Sequence, residues 1–262
     1  MVGAPESMIR AGTILSWYAR SYRHTWRATI TVAFLNPLFF LLSIGVLLGG
    51  IVDERSADLG GLSYLEFVAP GLLAATAMQI GTNEGSFPVM AGLKWTRTYH
   101  AVVATPVRVA ELFTGLFAWV ALRIVVAAAI FTAVSAAVGA FRSPWSALAP
   151  LAALLCGLAF AAPIAATASA LEDGSWLTGI FRFVILPLFL FSGTFFPVSQ
   201  LPDWLEPVAW ATPLWHGVTL CRDLASGSAE LWPALGHAGY MAAFAVAGSL
   251  LAVWILRRRL LR

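Results

Sequence analysis

The sequence predicts an all-α polytopic membrane protein of six transmembrane helices with both ends of the chain on the cytoplasmic side, and three observations carry that prediction. Hydrophobic residues make up 60% of the chain and charged residues 11%, against roughly 25% charged in an ordinary soluble domain. Apolar runs long enough to cross a hydrocarbon core of about 30 Å recur at 30–52, 64–87, 112–138, 145–171, 177–196 and 233–256. The basic residues then choose an orientation, because Lys and Arg are retained in cytoplasmic loops. With the N-terminus inside, twelve of the sixteen fall on the inner side, only Arg55, Arg142 and Arg222 fall outside, and Arg123 lies within a span.

Six crossings in 262 residues leave no room for a separate soluble domain. The chain divides into a cytoplasmic N-terminal segment over 1–29, a transmembrane domain over 30–256 and a basic cytoplasmic tail over 257–262. The first segment does not read as a cleavable signal, because it holds Arg10, Arg20, Arg23 and Arg27 and lacks a compact apolar core. Met8, Ala11, Ile14, Leu15, Tyr18, Tyr22 and Trp26 share one helical arc, opposite Arg20, Arg23, His24 and Arg27. A basic face opposite an aromatic one predicts an amphipathic helix lying in the inner interface.

Small residues recur four apart in the first two spans, at Gly45 and Gly49 and at Ala77, Gly81 and Gly85. That spacing lets helices approach closely, within the chain or at a dimer seam. In a chain this rich in Ala and Gly, packing within the chain is the favoured use. The second span ends on a polar group, Gln79, Thr82, Asn83 and Glu84, and the third holds Arg123 near its middle. A charge at that depth costs a few kcal/mol and must face the bundle interior or a wet cavity. A buried pair, snorkelling to a headgroup and a substrate or gating role all fit, and the sequence leaves open whether Glu84 and Arg123 meet.

The loop after the second span reads FPVMAGLKWTRTYHAVVATPVRVAEL. It predicts a short basic, aromatic helix from Lys94 to Ala104, a break at Thr105-Pro106, and Arg108 before the third span. A solvated cytoplasmic loop and a docking element for a partner both fit that composition. From Leu186 to Leu220 an apolar stretch is interrupted by Pro187, Pro197, Pro202, Pro207 and Pro213. Proline inside a helix removes a hydrogen bond and clashes with the preceding turn. The chain must therefore stop and restart several times, packed in protein or in the headgroup layer, since unpaired backbone in hydrocarbon is costly.

Enzyme chemistry finds little support. His24, His100, His216 and His237 lack metal-ligand spacing, and Asp203, Glu206, Asp223 and Glu230 read as a solvated rim. Cys156, in a span, and Cys221, near an outer loop, read as unpaired thiols. A P-loop needs Lys between Gly and Ser or Thr, whereas Lys94 sits between Leu93 and Trp95 and is the only lysine. This chain is therefore not expected to hydrolyse ATP by that mechanism, and any ATP-driven function must borrow a partner's ATPase.

The segment FSGTFFPVSQLPDWLEPVAWATPLWHGVTLCRDL, with YLEFVAPGLLAATAM and the Thr98–Arg108 loop in support, resembles the membrane subunits of type-2 ABC exporters. The similarity is strongest to the branch containing the nodulation lipo-oligosaccharide exporters and related drug exporters, and with the six-span plan it covers nearly the whole chain. It implies a permease of the bacterial cytoplasmic membrane that exports an amphiphile by alternating access. Its partners would be an ABC ATPase subunit, which carries ATP and Mg, a second permease copy or homologous permease, and membrane lipids. No cofactor on this chain and no nucleic acid are expected. The resemblance assigns Lys94, Trp95, Arg97, Tyr99, His100 and Arg108 to coupling with the ATPase. It assigns Ser192, Gly193, Phe196, Pro197, Leu201, Pro202, Pro213 and His216 to a re-entrant outer gate. Gln79, Asn83, Glu84 and Arg123 become candidates for substrate contact or gating. A membrane scaffold that recruits a cytoplasmic protein is the alternative reading, with a membrane-embedded lipid enzyme behind it.

Overall fold

The structure is a computed structural model that describes residues 4–23, 39, 41, 43 and 61–261, within which every regular element is helical. Most of the first predicted span, with Gly45 and Gly49, lies outside the described residues, as do His24, Trp26, Arg27, Arg55 and Arg262. In chain order the helices are α1 (Ala4–Tyr22), α2 (Tyr64–Gly85), α3 (Phe87–Met90), α4 (Thr98–Val103), α5 (Val109–Ala137), α6 (Ala149–Ala170), α7 (Ser175–Phe191), α8 (Glu206–Trp210), α9 (Pro213–Ser226) and α10 (Leu231–Leu260). Among the described residues, three stretches are long and apolar enough to cross a membrane: Val109–Ala137, Pro144–Ala170 and Leu231–Leu260. Helix α2 has the length, at 22 residues, but its polar end makes it less apolar.

Local chemistry sets the boundaries. Ser63 caps α2 in a reciprocal box with Glu66: the Glu66 amide donates to Ser63 Oγ at 3.4 Å and the Ser63 amide to Glu66 Oε2 at 2.9 Å. Arg142 pairs with the buried Glu66 carboxylate from the far end of α5. The Arg108 amide donates to Glu111 Oε2 at 2.8 Å where α5 begins. Thr212 caps α9 ahead of Pro213, and Gly227, at φ +86°, closes it. Helix α7 opens to a π turn over Phe181–Ile185 just before Pro187, where such a widening accommodates the missing amide donor.

Helix α6 is the hub, packing against α2, α5, α9 and α10. The predicted small-residue spacing is used here, within the chain. A Cβ on Gly81 would overlap the Gly157 carbonyl, and one on Gly85 would lie 2.6 Å from the Ala161 carbonyl oxygen. In a membrane no hydrophobic drive separates helix from lipid, so this backbone-to-backbone approach supplies the dispersion contacts that hold α2 to α6. Gly248 of α10 fits against Pro163 of α6 in the same way. Cys156 and Cys221 are free and buried; Cys221 sits inside α9 against α6, its thiol 3.9 Å from the Ala149 carbonyl, rather than near a loop.

Helix α1 departs from the expected picture of a helix lying alone in the interface. It runs parallel to the first half of α5, with Arg10 donating to the Pro106 carbonyl at 2.5 Å, Ile14 seated on Gly115, and Tyr18 and Tyr22 against Trp119. The middle of its aromatic arc is covered by protein, whereas Met8 at the edge stays exposed. Helix α10 continues through Leu260, and Arg257, Arg258 and Arg259 form its last turn.

Candidate functional site

Glu84 stands in the last turn of α2 and Arg123 midway along α5, and the two meet: Arg123 Nη1 donates to Glu84 Oε1. Their side chains are 16% and 26% exposed, so each charge is partly desolvated and held by the other. Gln79 and Asn83 do not join them. Both are exposed on α2, four residues apart on one side of the helix, and Thr82 is buried between them with no partner for its hydroxyl among the described residues.

From this pair a run of rings leads to the loop. The Arg123 guanidinium lies 5.5 Å from the centre of the Tyr22 ring. Tyr22 meets Trp119 edge-on at 5.1 Å, Trp119 stacks on Tyr18 at 6.2 Å, and the Tyr18 and Tyr99 hydroxyls are 3.4 Å apart. Burial pushes both phenols above their ordinary pKa, so both stay protonated at neutral pH. Helix α1 thus inserts two tyrosines between the Glu84–Arg123 pair and the loop that follows α2.

The loop itself differs from the predicted Lys94–Ala104 helix. A π turn covers Ala91–Trp95, Arg97 adopts a left-handed backbone at φ 51°, and α4 starts only at Thr98. A non-glycine residue in that conformation stops helix propagation, and the turn it makes folds Tyr99 inward. Tyr99 is 2% exposed and packs on Gly92, where any side chain would collide with its ring. Trp95, at 62% exposed, and Arg97, His100 and Arg108 point outward. Lys94 turns aside to Glu172, at 3.7 Å. The six residues grouped by sequence therefore split into four outward side chains, one inward ring and one ion-paired lysine.

At the other end of α2, the turn after α7 is tied down. Gly193 takes φ +81°, Ser192 Oγ and Thr212 Oγ1 lie 3.2 Å apart, and Thr212 also caps α9 by accepting from the Trp215 amide. Gly71 leaves room for the Thr194 carbonyl, which would be 2.9 Å from a Cβ there. Phe196, Val198, Leu201 and Ala209 pack in a small cluster with Trp215, Pro197 is partly covered, and Pro202 is exposed. Arg222, placed by sequence among outer-loop cations, is the residue that binds this region together. Its Nε and Nη2 donate to the Phe67 carbonyl at 3.2 Å, Nη2 also to the Gly193 carbonyl at 2.8 Å, and its guanidinium lies 3.8 Å over the Phe67 ring. His216 of α9 meets His237 of α10 with Nδ1 atoms 2.7 Å apart, one donating to the other, and stacks on Tyr240.

Sequence comparison accords with this layout. Residues 12–224 match the ABC-2 type transporter family. The chain is 31% identical to Nodulation protein J of Rhizobium leguminosarum bv. trifolii over 260 residues, covering 96% of each protein. It is 30% identical to Nodulation protein J of Rhizobium meliloti (strain 1021) over 237 residues, 89% of this chain and 87% of that one. It is also 25% identical to the daunorubicin resistance ABC transporter permease protein DrrB1 of Streptomyces coeruleorubidus over 227 residues, 80% and 76% of the two chains. A described body whose regular elements are all helical, several of them of membrane length, and a family match over most of the chain establish that it belongs to the ABC-2 type transporter family, as a multi-pass membrane subunit.

Proposed function

We propose that this chain is the permease of an ATP-driven exporter of an amphiphile in a bacterial cytoplasmic membrane, with six spans, both termini inside and the domain plan read from the sequence. The observation that carries the proposal is the ring relay between the Glu84–Arg123 pair and the Tyr99 loop. Trp95, Arg97, His100 and Arg108 form the docking face for an ABC ATPase subunit, which binds ATP and Mg. When the ATPase pair closes, movement of the loop shifts Tyr99 and, through α1, the surroundings of the charge pair. A nucleotide drives such a change only by contacting its two states unequally; the loop is where that difference enters.

The exposed amides of Gln79 and Asn83 support a passage beside α2, since polar side chains are costly against lipid and favour a wet cavity or a protein partner. A second permease, identical or homologous, would complete that passage. The relatives named for nodulation and for daunorubicin resistance favour a lipid-linked saccharide or a hydrophobic drug as cargo. The turn held by Ser192, Gly193 and Arg222, followed by α8 and α9, would close the outer mouth as re-entrant segments.

Co-expression with an ABC ATPase encoded beside it, purification in lipid and ATPase assay with added lipo-oligosaccharides or amphiphilic drugs tests the proposal. The complex should form, hydrolyse ATP faster with one cargo class, and lose ATPase binding when Arg97 and His100 are changed to Glu. A chain that assembles with no ATPase, or binds one without any response to cargo, contradicts the exporter and favours a scaffold.

A further inference from the structure

Trp232 and Trp254 lie on α10 and are 81% and 50% exposed. Twenty-two residues of helix separate them by about 33 Å at 1.5 Å per residue. That matches the hydrocarbon thickness of about 30 Å, and exposed tryptophans gather at the two membrane interfaces. Trp254 therefore marks one interface, and Arg258, a turn beyond it, stands at headgroup depth. Here a cleft of about 500 Å³ opens between the ends of α6 and α10, lined by Ala170, Trp254, Ile255, Arg258 and Arg259.

The charges at this cleft are unequally occupied. Arg259 donates to the Ala170 carbonyl at 2.6 Å and pairs with Glu172, which Lys94 also approaches. Arg258 instead lies 3.8 Å over the Trp254 ring and takes no carboxylate partner among the described residues. Lys94, Arg258 and Arg259 against Glu172 and Asp173 leave the groups around the cleft with a net charge of +1, more than the half charge of the helix C-terminus offsets. A planar guanidinium stacked on an aromatic ring keeps its edge free for a bidentate phosphate contact.

We propose that this cleft binds the phosphate headgroup of an anionic phospholipid, with Arg258 on the phosphate and Trp254, Ile255 and Ala170 against the glycerol and upper acyl chain. The site shares no residue with the Glu84–Arg123 pair or with the proposed docking face at Trp95, Arg97, His100 and Arg108. Under the orientation proposed above it faces the inner leaflet. Bound there, the lipid would bridge α6 to α10 beside the loop that carries Lys94.

Native mass spectrometry of the full chain in mild detergent, titrated with phosphatidylglycerol or phosphatidylcholine, tests it. Wild type should retain phosphatidylglycerol over phosphatidylcholine by about fivefold or more, the size expected for one well-placed Arg at a membrane surface. Arg258→Gln should abolish the preference and Arg258→Lys should restore only part of it, whereas Arg257→Gln, which removes the same charge outside the cleft, should keep it. Glycerol 3-phosphate should not displace the lipid. Equal losses in Arg257→Gln and Arg258→Gln would reduce the effect to bulk charge and overturn the site; displacement by glycerol 3-phosphate would overturn the lipid in favour of a soluble phosphate.

Discussion

Both ends of α2 meet an irregular, aromatic-rich segment, yet the two are held in different ways. At the Phe67 end, Arg222 donates to two backbone carbonyls and the Ser192–Thr212 contact closes the turn. At the Glu84 end the neighbouring loop is held by the Tyr99 ring on Gly92, one long hydroxyl contact, an ion pair at the surface and a single charged-donor bond, from Arg10 to the Pro106 carbonyl. Hydrogen bonds from a charged donor to backbone carbonyls fix geometry, and breaking them strands acceptors. Ring contacts and surface ion pairs shift more cheaply. The Phe67 end is thus the more firmly tied of the two, and the loop after Glu84 is the part that the proposed coupling would move. Gly81 and Gly85 clamp the last turns of α2 to α6 around Glu84, so the freedom at this end belongs to the loop beyond the helix.

The largest effect should come from the anchor. Arg222→Gln leaves the Phe67 and Gly193 carbonyls short of donors and should cost about 3 kcal/mol of stability, read as a lowered thermal midpoint in detergent; a change under about 1 kcal/mol would show that the anchor is no firmer than the loop. Gly71→Val pushes the Thr194 carbonyl off α2 and should cost about 1–3 kcal/mol. Because it acts on the same turn, its effect should be non-additive with that of Arg222→Gln. Full additivity would mean the two residues hold separate structures.

Smaller effects are expected at the loop. Tyr99→Phe keeps the ring and removes the hydroxyl contact, about 0.5–1 kcal/mol, while Arg97→Glu should stay within about 0.5 kcal/mol for an exposed side chain and yet weaken ATPase capture. The smallest concerns Glu172, whose carboxyl is held below its ordinary pKa by the hydrogen bond from Arg259 and by the charges of Arg259 and Lys94. A depressed carboxylate contributes stability that is complete above the unfolded pKa and is lost as pH falls through the folded one. Below the ordinary carboxylate range Lys94 should be released, and protease cleavage near Trp95 should rise in wild type but not in Glu172→Gln.

Much of this was legible in the sequence because a helix announces its period. The spans described here, the close-packing Ala77–Gly81–Gly85 face, the broken stretch after Leu186 and the unusual depth of Glu84 and Arg123 all follow from spacing and composition. Partnership does not. Nothing local links Glu84 to Arg123 across 39 residues, or Arg222 to Phe67 across 155. Arg222 counts in the sequence only as one of three outer cations, because nothing near it marks a backbone carbonyl 155 residues away as its partner. Tyr99 was grouped with its outward neighbours because only the left-handed turn at Arg97 reverses its direction, and a non-glycine in that conformation has no sequence signature. The amphipathic arc of α1 was visible, but an apolar face alone does not say whether lipid or another helix covers it. His216 and His237 failed every metal-spacing pattern, and they meet only because α9 and α10 pack together.

The central claim, that α1 carries motion between the loop and the charge pair, is tested most directly by breaking the relay in its middle. Tyr22→Leu combined with Trp119→Leu leaves Arg97, His100, Glu84 and Arg123 in place. ATP hydrolysis by the reconstituted complex, measured with and without transported amphiphile, should then continue at its basal rate, with the ATPase still bound, but lose its response to cargo. Undiminished cargo stimulation in that variant would contradict the relay and leave the rings as packing alone.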